Sequence, residues 1–169
     1  MRIIGPPSAT LAIVTAAIQG RAGVAPLFIE DMLPVLWAAG LKYGIDPVGM
    51  VAQSAKETNW GNFTGKVQPE FYNTSGIKIR HQALFPGITD GNSPLAHTMF
   101  PNWETGAEAH AQHLRAYAGW PVDDLIVDPR YVYVRASLEN FEELGGKWAP
   151  SPSYGTELVS IARTLQLGV

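Results

Sequence analysis

The 169-residue sequence has no cysteine. That excludes thiol catalysis, disulfide staples, Cys-ligated zinc and iron–sulfur clusters, and it leaves the redox compartment open. Charge is also scarce. Asp, Glu, Lys and Arg make up 16% of the chain and sum to a net charge of −3. A partner gripped through a basic footprint is therefore not expected, neither nucleic acid nor an anionic membrane surface. No apolar run approaches the roughly 18 residues of a membrane span, and no signal peptide is seen, because residues 1–5 are too short and proline-interrupted to open one. Dinucleotide, phosphate-loop, zincin and nucleophile-elbow motifs are missing as well.

What is present is an apolar fraction of 46%. That excludes disorder and suits one domain able to bury a core without a metal staple. The domain is expected to span 1–169, with N-terminal helices in 1–45 and the chemically informative segments in 46–169. Glycine (17) and proline (13) are plentiful, which implies short elements and many turns. Ser8 is the expected cap of a helix over 9–19. Pro26 opens a second helix reaching Tyr43, with a kink expected at Pro34. Asp46-Pro47 joins a capping side chain to a first-turn proline and starts a third helix ending near Asn59. Asn102 caps a fourth to about Tyr117, Asp128-Pro129 repeats the cap-and-proline signal, and Ser153 opens the last helix. Residues 77–82 and 96–100 read as a small β-hairpin with a long loop. The expected fold class is mainly α (α+β).

Glu57 stands out on physical grounds. It falls in the last turn of the third helix, where the dipole disfavours a carboxylate, and Trp60 flanks it. Both raise the carboxyl pKa, which suits a general acid. The competing reading is a solvated helix end paired with Lys56 or Lys66. Gln53, one turn earlier, shares its face.

The segment around Glu57 resembles the bacterial glucosaminidase family of peptidoglycan hydrolases (glycoside hydrolase family 73, lysozyme-like). The resemblance rests on Ala52, Gln53, Glu57, Thr58, Trp60 and Gly61, then on Asn73, Gly76, Ile77 and Lys78. Phe100 and Trp103 before a His- and Leu-containing helix, and Gly146-Lys147-Trp148-Ala149 leading to Tyr154, extend it. Four motifs in order cover roughly 46–165. The resemblance implies a lysozyme-like helical domain whose small β-hairpin lobe flanks a groove for peptidoglycan glycan strands. It implies an endo-β-N-acetylglucosaminidase with Glu57 as general acid and Tyr154 near the cleaved bond. Gly76 and Ile77 would floor the groove. Asn73 would orient a sugar or cap a turn.

Asp90 matches the position of a second acidic residue in many members, although Asp90-Gly91 is also a common turn dipeptide. Glu104 and Glu108 suit a helix start instead. Without a second carboxylate, the substrate's own N-acetyl carbonyl would attack, as in substrate-assisted glycosidases. Phe63, Phe71, Tyr72, Phe100, Trp103 and Trp120 are candidates for stacking on sugar rings, against a bland reading as core. Phe71 and Tyr72 are the choice for groove walls, and Trp60 and Trp103 stand with them as substrate-binding residues. His81, His97, His110 and His113 lack the spacing of a metal site and read as surface or helix-packing groups, so no metal and no cofactor is expected. A monomer acting outside the cell or at the cell wall, secreted or phage-delivered, completes the expectation. A muramidase, a lytic transglycosylase and a non-catalytic glycan-binding or phage structural domain are the alternatives.

Overall fold

The computed structural model describes residues 1–79 and 93–168. Five α-helices organise it: α1 Leu11–Gly20, α2 Leu33–Tyr43, α3 Pro47–Glu57, α4 Trp103–Ala118 and α5 Tyr154–Leu167. The chain is mainly helical. Helix α3 is the hub, packed against α2 and α5, while α4 lies on α2 and α1 on α5.

Sequence explains why α3 is central. Asp46 accepts the Val48 N–H at 3.0 Å, Pro47 occupies the first turn, and every residue from Pro47 to Ala55 is buried. A helix buried on all sides belongs inside a core, and its polar members, Gln53 and Ser54, lie near the end that carries Glu57. Gly49 permits the closest approach, because a Cβ there would stand 2.2 Å from the Phe141 ring. Ile3, Val14, Phe28, Leu36, Leu114, Leu144, Leu158 and Leu165 join α3 in one continuous apolar cluster.

Three local expectations are corrected. The α1 cap is Thr10, whose side chain accepts the Ile13 N–H. Ser8 is instead drawn away by tertiary bonds, its N–H to Asp46 and its Oγ to Gln166. The kink at Pro34 takes the form of a π-helical turn over Phe28–Met32. The Leu33 N–H reaches back to Phe28 O, and this wider turn leaves Pro34 in the first turn of α2, where a missing donor costs little. Asp128-Pro129 opens no α-helix. Asp128 accepts the Arg130 N–H at 2.8 Å, but only a 3₁₀ turn, Tyr131–Tyr133, follows. A crowded aromatic and β-branched run is a poor helix former.

Of the expected hairpin, the described residues contain one antiparallel bridge, Lys78 with His97. Ile79 N–H donates to Ala96 O and Thr98 N–H to Ile77 O, each at 2.9 Å. The rest of the first arm and its loop, with His81 and Asp90, lie outside the described residues.

Candidate active site

Helix α3 delivers Glu57 to its C-terminal end, and the chain then turns sharply. Asn59, Trp60, Gly61 and Phe63 all have positive φ, a left-handed run that costs non-glycine residues about 1–2 kcal/mol each. Local bonds hold it. Thr58 Oγ1 donates to Ser54 O at 2.8 Å and accepts the Gly61 N–H at 3.0 Å. Phe63 N–H bonds Thr58 O, and Trp60 N–H bonds Ala55 O, each at 2.8 Å. Strain of this kind concentrates at functional sites.

The Glu57 carboxyl is held by a chain of buried side chains. Tyr154, at the start of α5, donates its hydroxyl to Glu57 Oε1 at 2.5 Å. Gln53 Nε2 donates to the Tyr154 hydroxyl at 3.0 Å. His110 Nε2 meets Gln53 Oε1 at 3.0 Å, and Thr74 Oγ1 meets His110 Nδ1 at 3.2 Å. The carbonyl oxygen of Gln53 only accepts, so His110 carries its proton on Nε2 and takes the Thr74 hydroxyl proton at Nδ1. Every proton in the chain thus points towards Glu57. Because Oε1 accepts from Tyr154, a protonated Glu57 carries its proton on Oε2. That oxygen lies 3.5 Å from where a Cβ of Gly76 would stand, and Gly76 has φ +68°.

By surface area Glu57 is exposed, yet protein surrounds it closely. Both hold for a group set in a concave wall. Desolvation raises its pKa, opposed in turn by the Tyr154 hydrogen bond, the Lys56 charge and the Trp148 side chain. Lys56 itself pairs with Glu157 at 2.7 Å. Burial drives the Tyr154 hydroxyl well above its usual range, reinforced by the charge of Glu57. Burial also pushes His110 down to about 3, with His113 adding to the effect, so its imidazole stays neutral.

Glu57 lines a groove of about 390 Å³ with Phe63, Lys66, Asn73, Gly76, His97 and Trp148, among others. This lies within the 300–1,000 Å³ or so of ordinary ligand sites. Trp148 is braced from behind, its ring centroid 4.9 Å from His113, 5.5 Å from Tyr117 and 5.7 Å from His110. Asn73 is buried and stitches the opposite wall. Its Nδ2 donates to Ile77 O at 2.8 Å and to Thr98 O at 2.9 Å. Its Oδ1 accepts the N–H groups of Ser75 and Ile77.

The structure therefore brings together Glu57, Asn73 and Gly76 as lining, with Gln53 and Tyr154 behind the carboxyl. Ile77 lines an adjoining cavity. Trp60, Phe71, Tyr72 and Trp103 are not among the described lining residues of the groove. Trp60 is packed edge-on against Phe28, with Arg21 over its face. Tyr72 and Trp103 pack edge to face at 5.2 Å, and the Phe71 carbonyl accepts from Phe100. Sequence reasoning passed over Lys66, Lys78, His97 and Trp148. Trp148 was within reach, since it stands in the motif that singled out Tyr154.

His110 and His113 are buried on α4, as the helix-packing alternative has it and not the surface one. His113 Nδ1 lies 2.6 Å from Asp128 Oδ2. Among the described residues, no three His, Asp or Glu side chains are grouped to hold a metal ion. Among the described residues, no helix is long and apolar enough to cross a membrane.

A helical domain with a carboxyl-bearing groove between α3 and the strand-like segment of Ile77 defines a lysozyme-like fold. The chain belongs to the glucosaminidase family. The model of that family, described as mannosyl-glycoprotein endo-beta-N-acetylglucosaminidase, matches residues 33–167. An uncharacterized protein of Borreliella burgdorferi is 34% identical over 140 residues, covering 82% of this chain and 59% of that protein. The chain thus spans less than two thirds of this curated relative. The catalytic domain of the autolysin Auto from Listeria monocytogenes superimposes with a TM-score of 0.51 at 18% identity, over 95% of this chain and 88% of that one. A mutant of a peptidoglycan hydrolase from Sphingomonas sp. A1 superimposes with a TM-score of 0.51 at 20% identity, over 86% and 98% of the respective chains.

Proposed function

We propose that this chain hydrolyses the glycan strand of bacterial peptidoglycan as an endo-β-N-acetylglucosaminidase, cleaving on the reducing side of N-acetylglucosamine. Family membership supports the bond type. The two structural neighbours, an autolysin and a peptidoglycan hydrolase, support the substrate. The observation that carries the reading is Glu57, a carboxyl of raised pKa whose Oε2 faces the groove while Oε1 is tied to Tyr154. Glu57 protonates the leaving glycosidic oxygen from Oε2, and the sugar passes through an oxocarbenium-like state. Tyr154 acts through Glu57 as a positioning residue, and Gln53 and His110 hold Tyr154 in turn. Asn73 and Gly76 shape the floor, and the Lys78–His97 pairing belongs to a small β lobe over the groove.

Glu57 is the one carboxylate among the described lining residues of the groove. The second role, activating water or stabilising the cation, falls to Asp90 or to the substrate's N-acetyl carbonyl. Asp90→Asn separates the two, since only the first route loses turnover with it. The enzyme acts as a monomeric domain at the cell wall or outside the cell, and the chemistry needs no metal.

The test is mass spectrometry of borohydride-reduced fragments after digestion of purified peptidoglycan. Reduced glucosamine ends are expected from the wild type. Glu57→Gln should keep its melting temperature and lose about 10²–10⁴-fold in rate, the usual worth of a general acid. Reduced muramic or anhydromuramic ends would reassign the bond to a muramidase or a lytic transglycosylase. No fragments from the wild type would leave a glycan-binding or phage structural role.

A further inference from the structure

A second cavity of about 530 Å³ adjoins the groove. Ser75, Gly76, Lys78, Trp148, Ala149 and Pro150 line both spaces. The second is walled by Lys78, Arg130 and Lys147, and no carboxylate is among its described lining residues. Three cations gathered on one face of a chain with net charge −3 are unexpected. They are also uncommitted. Lys78, Arg130 and Lys147 have no carboxylate within ion-pair distance among the described residues, whose ion pairs use other cations. Asp128 is occupied by His113 and by the backbone N–H of Arg130. Glu143, the acid that Lys147 influences, is tied to Asn140.

The Arg130 side chain and the Lys147 backbone are anchored by neighbouring segments. The Arg130 guanidinium donates to Ile79 O at 3.4 Å, and the Lys147 carbonyl accepts the Tyr117 hydroxyl at 3.0 Å. On the shared wall, Ser75 Oγ is buried and has no hydrogen-bond partner. Cations without a carboxylate partner, beside a groove proposed to hold a polymer, call for anionic groups carried by that polymer. In peptidoglycan, alternate sugars bear a lactyl-linked peptide with free carboxylates, and the sugar next to the cleaved bond is one of them.

We infer that the cavity lined by Lys78, Arg130 and Lys147 binds stem-peptide carboxylates, so that the enzyme favours peptide-bearing strands over bare glycan. The inference rests on the glycan-hydrolase reading above and names the part of the substrate that reading leaves open.

The experiment compares two preparations of the same sacculi, both freed of teichoic acid, one of them stripped of its peptides by an amidase. Initial rates of reducing-end release give kcat and KM. The wild type should show a KM about tenfold lower on peptide-bearing strands, the value of one charge-assisted hydrogen bond, and added salt should narrow the gap. Arg130→Gln with Lys147→Met should raise KM on peptide-bearing strands to the level of bare glycan, with kcat and melting temperature unchanged. Equal KM values for the wild type, or a preference that survives the double substitution, would overturn the inference. So would a dependence seen only when teichoic acid is retained, which would assign the cations to phosphodiesters. If neither preparation is cleaved, the hydrolase reading falls on its own. Co-sedimentation with the two preparations then decides the subsite, and equal binding overturns it.

Discussion

Tyr154 donates its hydroxyl proton to Glu57 Oε1 at 2.5 Å from 97 residues further along the chain. The bond joins the first residue of α5 to the last residue of α3, and α3 packs on α5. The two helices therefore set the carboxyl's orientation as one unit. The same bond favours the ionised form and so holds the Glu57 pKa below the value burial alone would impose.

Tyr154→Phe removes that restraint. The Glu57 pKa should rise further, so the acid stays protonated to higher pH and the alkaline limb of the kcat profile moves upward. Gln53 Nε2 also loses its acceptor, which costs stability by about 1–3 kcal/mol as a buried unpaired donor. A pH–rate profile of the variant beside the wild type checks the shift. An unmoved or downward alkaline limb would show that Tyr154 does not act on the reacting group.

His110 gives the protein an acid-sensitive element. Its folded pKa, about 3, lies far below the ordinary histidine value near 6.5. The unfolded chain therefore binds the proton more readily, and stability falls as pH drops through the unfolded value. By pH 5 the loss from this residue is on the order of 2 kcal/mol. Glu57 works in the opposite direction, since its raised pKa makes protonation favour the fold. Thermal unfolding from pH 7 to 4.5 should show a shallower acid loss for His110→Gln than for the wild type. Parallel curves for the two proteins would refute the assignment.

Gly76→Ala probes the groove itself. The left-handed φ costs an alanine about 1–2 kcal/mol, and the added methyl would stand 3.5 Å from Glu57 Oε2. Activity should fall well beyond what the stability loss explains, because the methyl occupies the approach of the leaving oxygen. Rates taken at temperatures where both proteins are fully folded separate the two effects. Full activity at such temperatures would place the scissile bond away from this wall.

The parts of the fold legible in the sequence were those governed by near neighbours. Asp46-Pro47, Asn102 and the position of Glu57 follow from caps and periodicity acting over two to four residues, and the structure has α3, α4 and α5 where these signals put them. The Ser8 cap was lost to partners elsewhere in the chain, Gln166 and Asp46, and the Asp128 helix to the aromatic and β-branched run that follows a cap still in place. The aromatics divided in the same way. Tyr72 and Trp103 satisfy each other, whereas Trp148 is presented to the groove because two histidines and Tyr117 fill the space behind it. The direction of the proton chain rests on Gln53 and His110 together, two residues 57 positions apart.

The loop from Asn73 to Ile77 hangs on a single carboxamide that donates twice and accepts twice. Aspartate, the isostere into which asparagine slowly hydrolyses, cannot take its place. It would turn a second oxygen towards the carbonyls of Ile77 and Thr98, leaving both without a donor beside a buried charge. Chemical ageing at this one atom would unlatch the wall that faces Glu57. The four bonds of Asn73 are thus also a preservative, because they hold the carboxamide away from the backbone nitrogen whose attack would begin its loss.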